Sequence, residues 1–161
     1  METKEGENIL TKKRAFLSIE RKKEKDKLFA KTSFSVPEFR KMMSLYSSTV
    51  AEYGVDLDMM DRKIFKQFFH TNFDLTEDIL LDRIFDFFYH NVELDDNEIS
   101  REEWILGFDV FLKGNEEDLT EFCFYIYDLN GDGYISKEEM MTLMAGSMGL
   151  EVDTDEDVRV R

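Results

Sequence analysis

From residue 37 onward, apolar residues recur at three- and four-residue spacing. Phe39, Met42, Met43, Tyr46 and Val50 predict a helix over 37–50, with Pro37 at a first helical position after Ser35 or Val36. Ile64, Phe65, Phe68 and Phe69 predict a second helix over 61–69. Thr76, Glu77 and Asp78 read as a cap and an acidic first turn, and the segment after them carries Ile79, Leu80, Ile84, Phe85, Phe87 and Phe88. Leu119, Phe122, Tyr125 and Ile126 mark another helix, and Met140, Met141, Leu143, Met144 and Met148 mark the last. One Pro and 8 Gly leave these stretches free of breakers, so the expected fold class is all-α.

The chain also repeats itself. Ile-Ser-Arg-Glu-Glu at 99–103 and Ile-Ser-Lys-Glu-Glu at 135–139 are nearly the same pentapeptide, 36 residues apart. Ser followed three residues later by Glu is a capping box, so each copy opens a helix. An acid-rich loop and a Phe-rich helix precede each copy, which makes the repeat a helix–loop–helix unit.

Residues 128–139 fit the twelve-residue EF-hand calcium loop at every position. Asp128, Asn130 and Asp132 place side-chain oxygens at positions 1, 3 and 5. Gly133 at position 6 allows the sharp turn. Tyr134 at position 7 offers its backbone carbonyl, and Ile135 at position 8 can join a short strand pairing. Ser136 at position 9 coordinates weakly or through water and caps the next helix. Glu139 at position 12 can give both oxygens. Oxygen donors without sulfur or imidazole suit Ca²⁺ or Mg²⁺, and a bidentate Glu139 favours the larger ion. One Ca²⁺ site is therefore expected.

Two earlier units are degenerate. Aligning Glu103 to position 12 puts Val92 and Leu94 at positions 1 and 3, Asp96 at 5 and Asn97 at 6, so two oxygens and the glycine are lost. A shifted loop using Asp95, Asp96 and Asn97 is the alternative. The fainter first unit places Met60 at position 8, with Tyr53 at 1, Ile64 at 12, and Asp56 and Asp58 at positions that do not bind. It reads either as a structural pseudo-hand or as an unrelated helical pair. Hands associate in pairs through their apolar faces and loop strands. The expected architecture is thus calmodulin-like: a basic extension at 1–31, a lobe of two degenerate hands at 32–114, an unpaired complete hand at 115–150, and an acidic tail at 151–161. At the same spacing, a partner for the complete hand would start near 164. The expectation is a shortened chain or a hand that pairs with a second copy or a target.

Charge sharpens this division. The net charge is −15, with 36 acids against 21 bases. Ten bases and six acids give residues 1–31 a charge of +4, leaving −19 for the rest. That balance argues against general nucleic-acid binding. The basic arm is either a solvated, partly helical extension or a docking element for an acidic partner such as a microtubule or a nucleic-acid backbone. A single Cys excludes an internal disulfide framework, and no apolar run approaches the ~20 residues of a membrane span. A soluble cytoplasmic protein without membrane attachment is expected. No nucleophile–base order, phosphate loop or metal-ligating His cluster marks an enzyme, and none is expected.

In residues 128–140 and 103–114, with 61–65, 76–78 and the basic 21–23, the chain resembles the calaxin family over about 21–144. Calaxins are EF-hand calcium sensors of cilia and flagella. The resemblance implies a place on the outer dynein arm of the axoneme, where motility responds to calcium, and axonemal dynein or microtubule-associated proteins as partners. It implies Asp128, Asn130, Asp132, Tyr134 and Glu139 as ligands. The chain departs from the family in its poorly formed second hand and in lacking the last one. The expected function is a calcium-responsive interaction module; the alternative is a constitutive adaptor that does not switch.

Overall fold

The computed structural model describes residues 3–52, 59–89 and 98–147, and the side chains from Arg14 onward except Ala15, Gly146 and Ser147. Loop positions 53–58 and 92–97, with the alternative ligands Asp95, Asp96 and Asn97, lie outside the described residues, as do Met148 and the tail 151–161. Seven helices and two short strands are described.

Helix α1 spans Thr3–Ala30. Its described side chains up to Lys27 are exposed, so this part of the basic arm is helical and solvated. Its last turn anchors it to the body: Leu28 and Phe29 pack against the core, and the Phe29 ring meets Phe39 edge-on at 5.1 Å. Helix α2 spans Val36–Glu52 and buries Phe39, Tyr46, Thr49 and Val50. Ser35 starts it: its N–H and Oγ donate to Glu38 Oε2 at 2.8 and 2.7 Å.

Strand β1, Met59–Asp61, pairs antiparallel with β2, Glu98–Ser100. The register sets Met60 opposite Ile99, and both are fully buried. These residues hold position 8 of the two degenerate loops, so the loops meet as paired hands do. The Tyr46 hydroxyl donates to the Ile99 carbonyl at 2.9 Å and ties α2 to the strand pair.

Helix α3, Arg62–Phe73, begins one residue later than the pattern suggests because Asp61 is its N-cap, accepting from the Ile64 N–H at 2.7 Å. It runs on to Phe73, where Asp74 turns left-handed at φ 54°. Helix α4, Asp78–Tyr89, buries Leu81, Ile84, Phe85 and Phe88. Arg62 pairs with Asp82 and Asp86, and Lys66 with Asp78 and Asp82, lacing α3 to α4. Helix α5, Arg101–Lys113, opens on the Ser100–Glu103 capping box and buries Trp104, Ile105, Gly107 and Phe108. Trp104 sits among Phe68 and Phe108, with ring centroids at 4.9 and 4.6 Å. Burying a side chain of this size stabilises by roughly 1.5–3 kcal/mol, so this aromatic cluster dominates the core.

Helix α6, Glu116–Tyr127, is capped by Asn115 and buries Phe122 and Ile126. Both join the same core as the first two units, with Phe122 edge-on to Phe87 at 4.7 Å. Helix α7, Lys137–Ser147, buries Leu143 and leaves Met140, Met141 and Met144 exposed. No helix among the described residues is long and apolar enough to cross a membrane.

Candidate metal centre

The chain between α6 and α7 makes the turn that its glycines permit. Gly131 and Gly133 adopt φ of 70° and 84°, which costs a residue with a Cβ but not glycine. Asp128 ends α6 as its C-cap. Its two carboxylate oxygens accept from the N–H groups of Asp132 at 3.1 Å and Gly133 at 2.9 Å. Asn130 Oδ1 accepts from the Asp132 N–H at 2.9 Å, and Asn130 Nδ2 donates to Asp132 Oδ2 at 2.9 Å. Asp132 Oδ1 accepts from the Tyr134 N–H at 2.8 Å. Alternate carboxylate and amide side chains thus fold the backbone around themselves.

Glu139 closes the loop from the other side. Its Oε2 accepts from the N–H and Oγ of Ser136 at 2.8 and 2.9 Å, while Ser136 Oγ accepts from the Glu139 N–H at 3.2 Å. This reciprocal box starts α7. Its Oε1 reaches across the loop to the Asn130 N–H at 3.1 Å. The N–H groups of Ser136 and Asn130, the Ser136 hydroxyl and the Leu129 N–H hold the Glu139 carboxyl below its ordinary range. Asp128 and Glu139 are both buried, at 6% and 8% exposure, which is unusual for carboxylates without a basic partner.

Among the described residues, no three His, Cys, Asp or Glu side chains are gathered closely enough to hold a metal ion as they stand. The reason is visible in the hydrogen bonds, since the carboxylates are occupied by backbone N–H groups. The donor set still fits a hard cation. Residues 128–139 carry three carboxylates, one side-chain amide oxygen and the Tyr134 backbone carbonyl at the ligand positions, with no sulfur or imidazole among them.

Around the loop, Ile135 is 38% exposed, in contrast to the fully buried Met60 and Ile99. With Leu119, Cys123, Phe124 and Tyr127 it lines an apolar groove along α6. Cys123 is a free, exposed thiol. Two features, one at the loop and one elsewhere in the fold, escape sequence reasoning. Arg83 of α4 donates to the carbonyls of Tyr125 and Asp128, the second at 2.7 Å. Glu38 joins Lys113 Nζ at 2.7 Å and so clasps α2 to the end of α5. No local pattern signals either, because the partners lie 42 to 75 residues apart.

Two strand-paired degenerate hands and a third helix–loop–helix with a full ligand sequence define an EF-hand protein. The EF hand family model matches residues 121–144. Within that class the chain is a relative of calaxin. It is 38% identical to calaxin of Xenopus laevis over 131 residues, which is 78% of this chain and 62% of that protein. It is 36% identical to calaxin of Bos taurus over 133 residues, 78% of this chain and 61% of that one. A recoverin family protein of Dictyostelium discoideum matches at 34% over 82 residues, 48% of this chain and 35% of that protein. The chain thus spans about six-tenths of the length of these two calaxins. The EF-hand match and the similarity to calaxins support reading the chain as a calcium-binding EF-hand protein.

Proposed function

We propose that residues 128–139 hold one calcium ion through Asp128, Asn130, Asp132, the Tyr134 carbonyl and Glu139, and that the chain is a calcium-responsive interaction module. The observation that carries this reading is the double use of Glu139. It is a ligand candidate and also the capping residue of α7, so the loop and the pose of α7 are tied through one side chain. Calcium, when bound, supplies two positive charges to the carboxylates of Asp128, Asp132 and Glu139. Met140, Met141 and Met144 on α7 and Leu119 and Phe124 on α6 are exposed apolar side chains on the two helices that flank the loop. Met side chains adapt to varied partners. A partner helix laid along such side chains is the recognition mode that this chemistry favours.

The resemblance to calaxins supports a setting on the outer dynein arm of cilia or flagella, with axonemal dynein or a microtubule-associated protein as the partner. A second copy is the other candidate, because Ile135, at position 8 of the loop, is exposed. The basic α1, whose described side chains up to Lys27 are exposed, is suited to an acidic surface.

Calorimetric titration of the chain with calcium tests the reading. One site is expected, at or weaker than the roughly 10⁻⁷–10⁻⁵ M of sensor hands. Glu139→Gln keeps a capping acceptor but loses the charge, and is expected to weaken binding by at least about tenfold. No heat up to millimolar calcium, or an unaffected Glu139→Gln variant, would leave a constitutive adaptor in its place.

A further inference from the structure

The C-terminal end of α6 is closed by a residue from another helix. A helix leaves its last carbonyls without intrahelical donors, and its dipole favours a cation there. Arg83 Nη2 donates to Tyr125 O, in the last turn of α6, and to Asp128 O at 2.7 Å. The guanidinium carbon lies 4.5 Å above the Tyr125 ring, a cation–π contact that fixes the plane of the fork. Asp128 is also position 1 of the loop. The residue whose carbonyl Arg83 holds is the one whose carboxylate accepts from Asp132 and Gly133. A single line of hydrogen bonds therefore runs from α4, through Asp128, into the turn.

We propose that Arg83 is a positioning residue for the loop, so that the first lobe sets the conformation, and with it the calcium affinity, of a hand it does not belong to. The inference rests on reading 128–139 as a calcium site and deepens it by naming a regulator of that site. Coupling between binding equilibria is reciprocal. Ion binding that firms Asp128 must also firm the grip of Arg83 on α6. The degenerate lobe, with most of its own ligands gone, then responds to an ion it does not hold. Charge acts in the opposite sense, because a guanidinium beside a cation site repels the cation. The proposal is that positioning outweighs this repulsion.

Two variants separate these effects. Arg83→Lys keeps the charge and loses the fork and the stacking; Arg83→Gln loses the charge as well. In calcium-free solution, amide hydrogen exchange at Asp132 and Gly133 is expected to quicken several-fold in Arg83→Lys, with exchange at Trp104 and Ile105 unchanged. Calorimetry is expected to show calcium affinity lowered about tenfold in both variants, the scale typical of residues that orient metal ligands. Calcium should slow exchange over 84–88 of α4 in the parent and not in Arg83→Lys. Unchanged loop exchange and affinity in Arg83→Lys, or tighter binding in Arg83→Gln, overturns the proposal. A parent that takes up no calcium, while the ion-free loop still responds to Arg83→Lys, overturns the calcium reading and leaves the positioning role supported.

Discussion

Gly107 lies in the middle of α5, facing Phe88 of α4. Replacing it by alanine sets two known effects against each other. Helix propensity favours alanine over glycine by about 0.8–1.0 kcal/mol in a helix interior. Packing opposes it. A Cβ at this position would stand 2.5, 2.6 and 2.7 Å from Cδ1, Cγ and Cε1 of Phe88. Three ring atoms are in conflict, so the ring must retreat by about an ångström to reach an ordinary carbon–carbon separation. Phe88 is 1% exposed, and its ring is boxed by Phe65, Phe108 and Trp104 at centroid distances of 5.4, 5.2 and 6.4 Å. Overpacking costs about 1–3 kcal/mol, and a ring enclosed by other rings belongs in the upper half of that range. The expected net effect is a loss of about 1–2 kcal/mol. Urea unfolding followed by circular dichroism reads this as a midpoint lowered by roughly 0.5–1 M at unchanged slope. Adding Phe88→Leu is expected to return part of the loss, since the two sites touch. A higher midpoint for Gly107→Ala would refute the reasoning, because propensity would then have won and the α4–α5 contact would be loose.

Two further outcomes follow from the clasp and the strand pair. Glu38 is held at about 2, well below 4.5, mainly by the Lys113 hydrogen bond and then by Ser35. Its contribution is therefore complete above pH 4.5 and fades as pH falls towards 2, where unfolding takes up the proton. Unfolding midpoints measured across this window should fall less steeply in Glu38→Gln than in the parent, and parallel curves would discount the clasp. Tyr46→Phe removes the buried donor to the Ile99 carbonyl and should cost about 1–2 kcal/mol in the same urea assay. A change within error would mean that water or a shifted strand replaces the hydroxyl.

The complete loop was legible because each of its positions has a local chemical requirement. Oxygens at 128, 130, 132 and 139, glycine at the turn and a Ser–Glu box can be read without knowing what lies nearby. The pairing of the degenerate units was legible for a related reason. Assigning Met60 and Ile99 to the same loop position predicts that they face each other, and they do. Arg83, the Glu38–Lys113 clasp and the Gly107–Phe88 contact were not legible. Each joins residues that only the tertiary fold brings together, and Arg, Glu and Gly on helices have many ordinary uses. Counting hands also gives no sign that Phe122 and Ile126 of α6 are buried in the core of the first two units. That placement depends on the shape of the surface left by Phe87, which no periodicity encodes.

The position of the one tryptophan has a practical consequence. Trp104 is fully buried in the aromatic cluster of α3, α4 and α5, in the first lobe rather than beside the loop. Its emission therefore monitors packing in the degenerate hands, and ligation at 128–139 is spectroscopically silent unless strain travels along α4. A flat fluorescence trace during a calcium titration would not argue against binding. A calcium-dependent shift in that trace would be an optical signature of communication between the two parts of the chain.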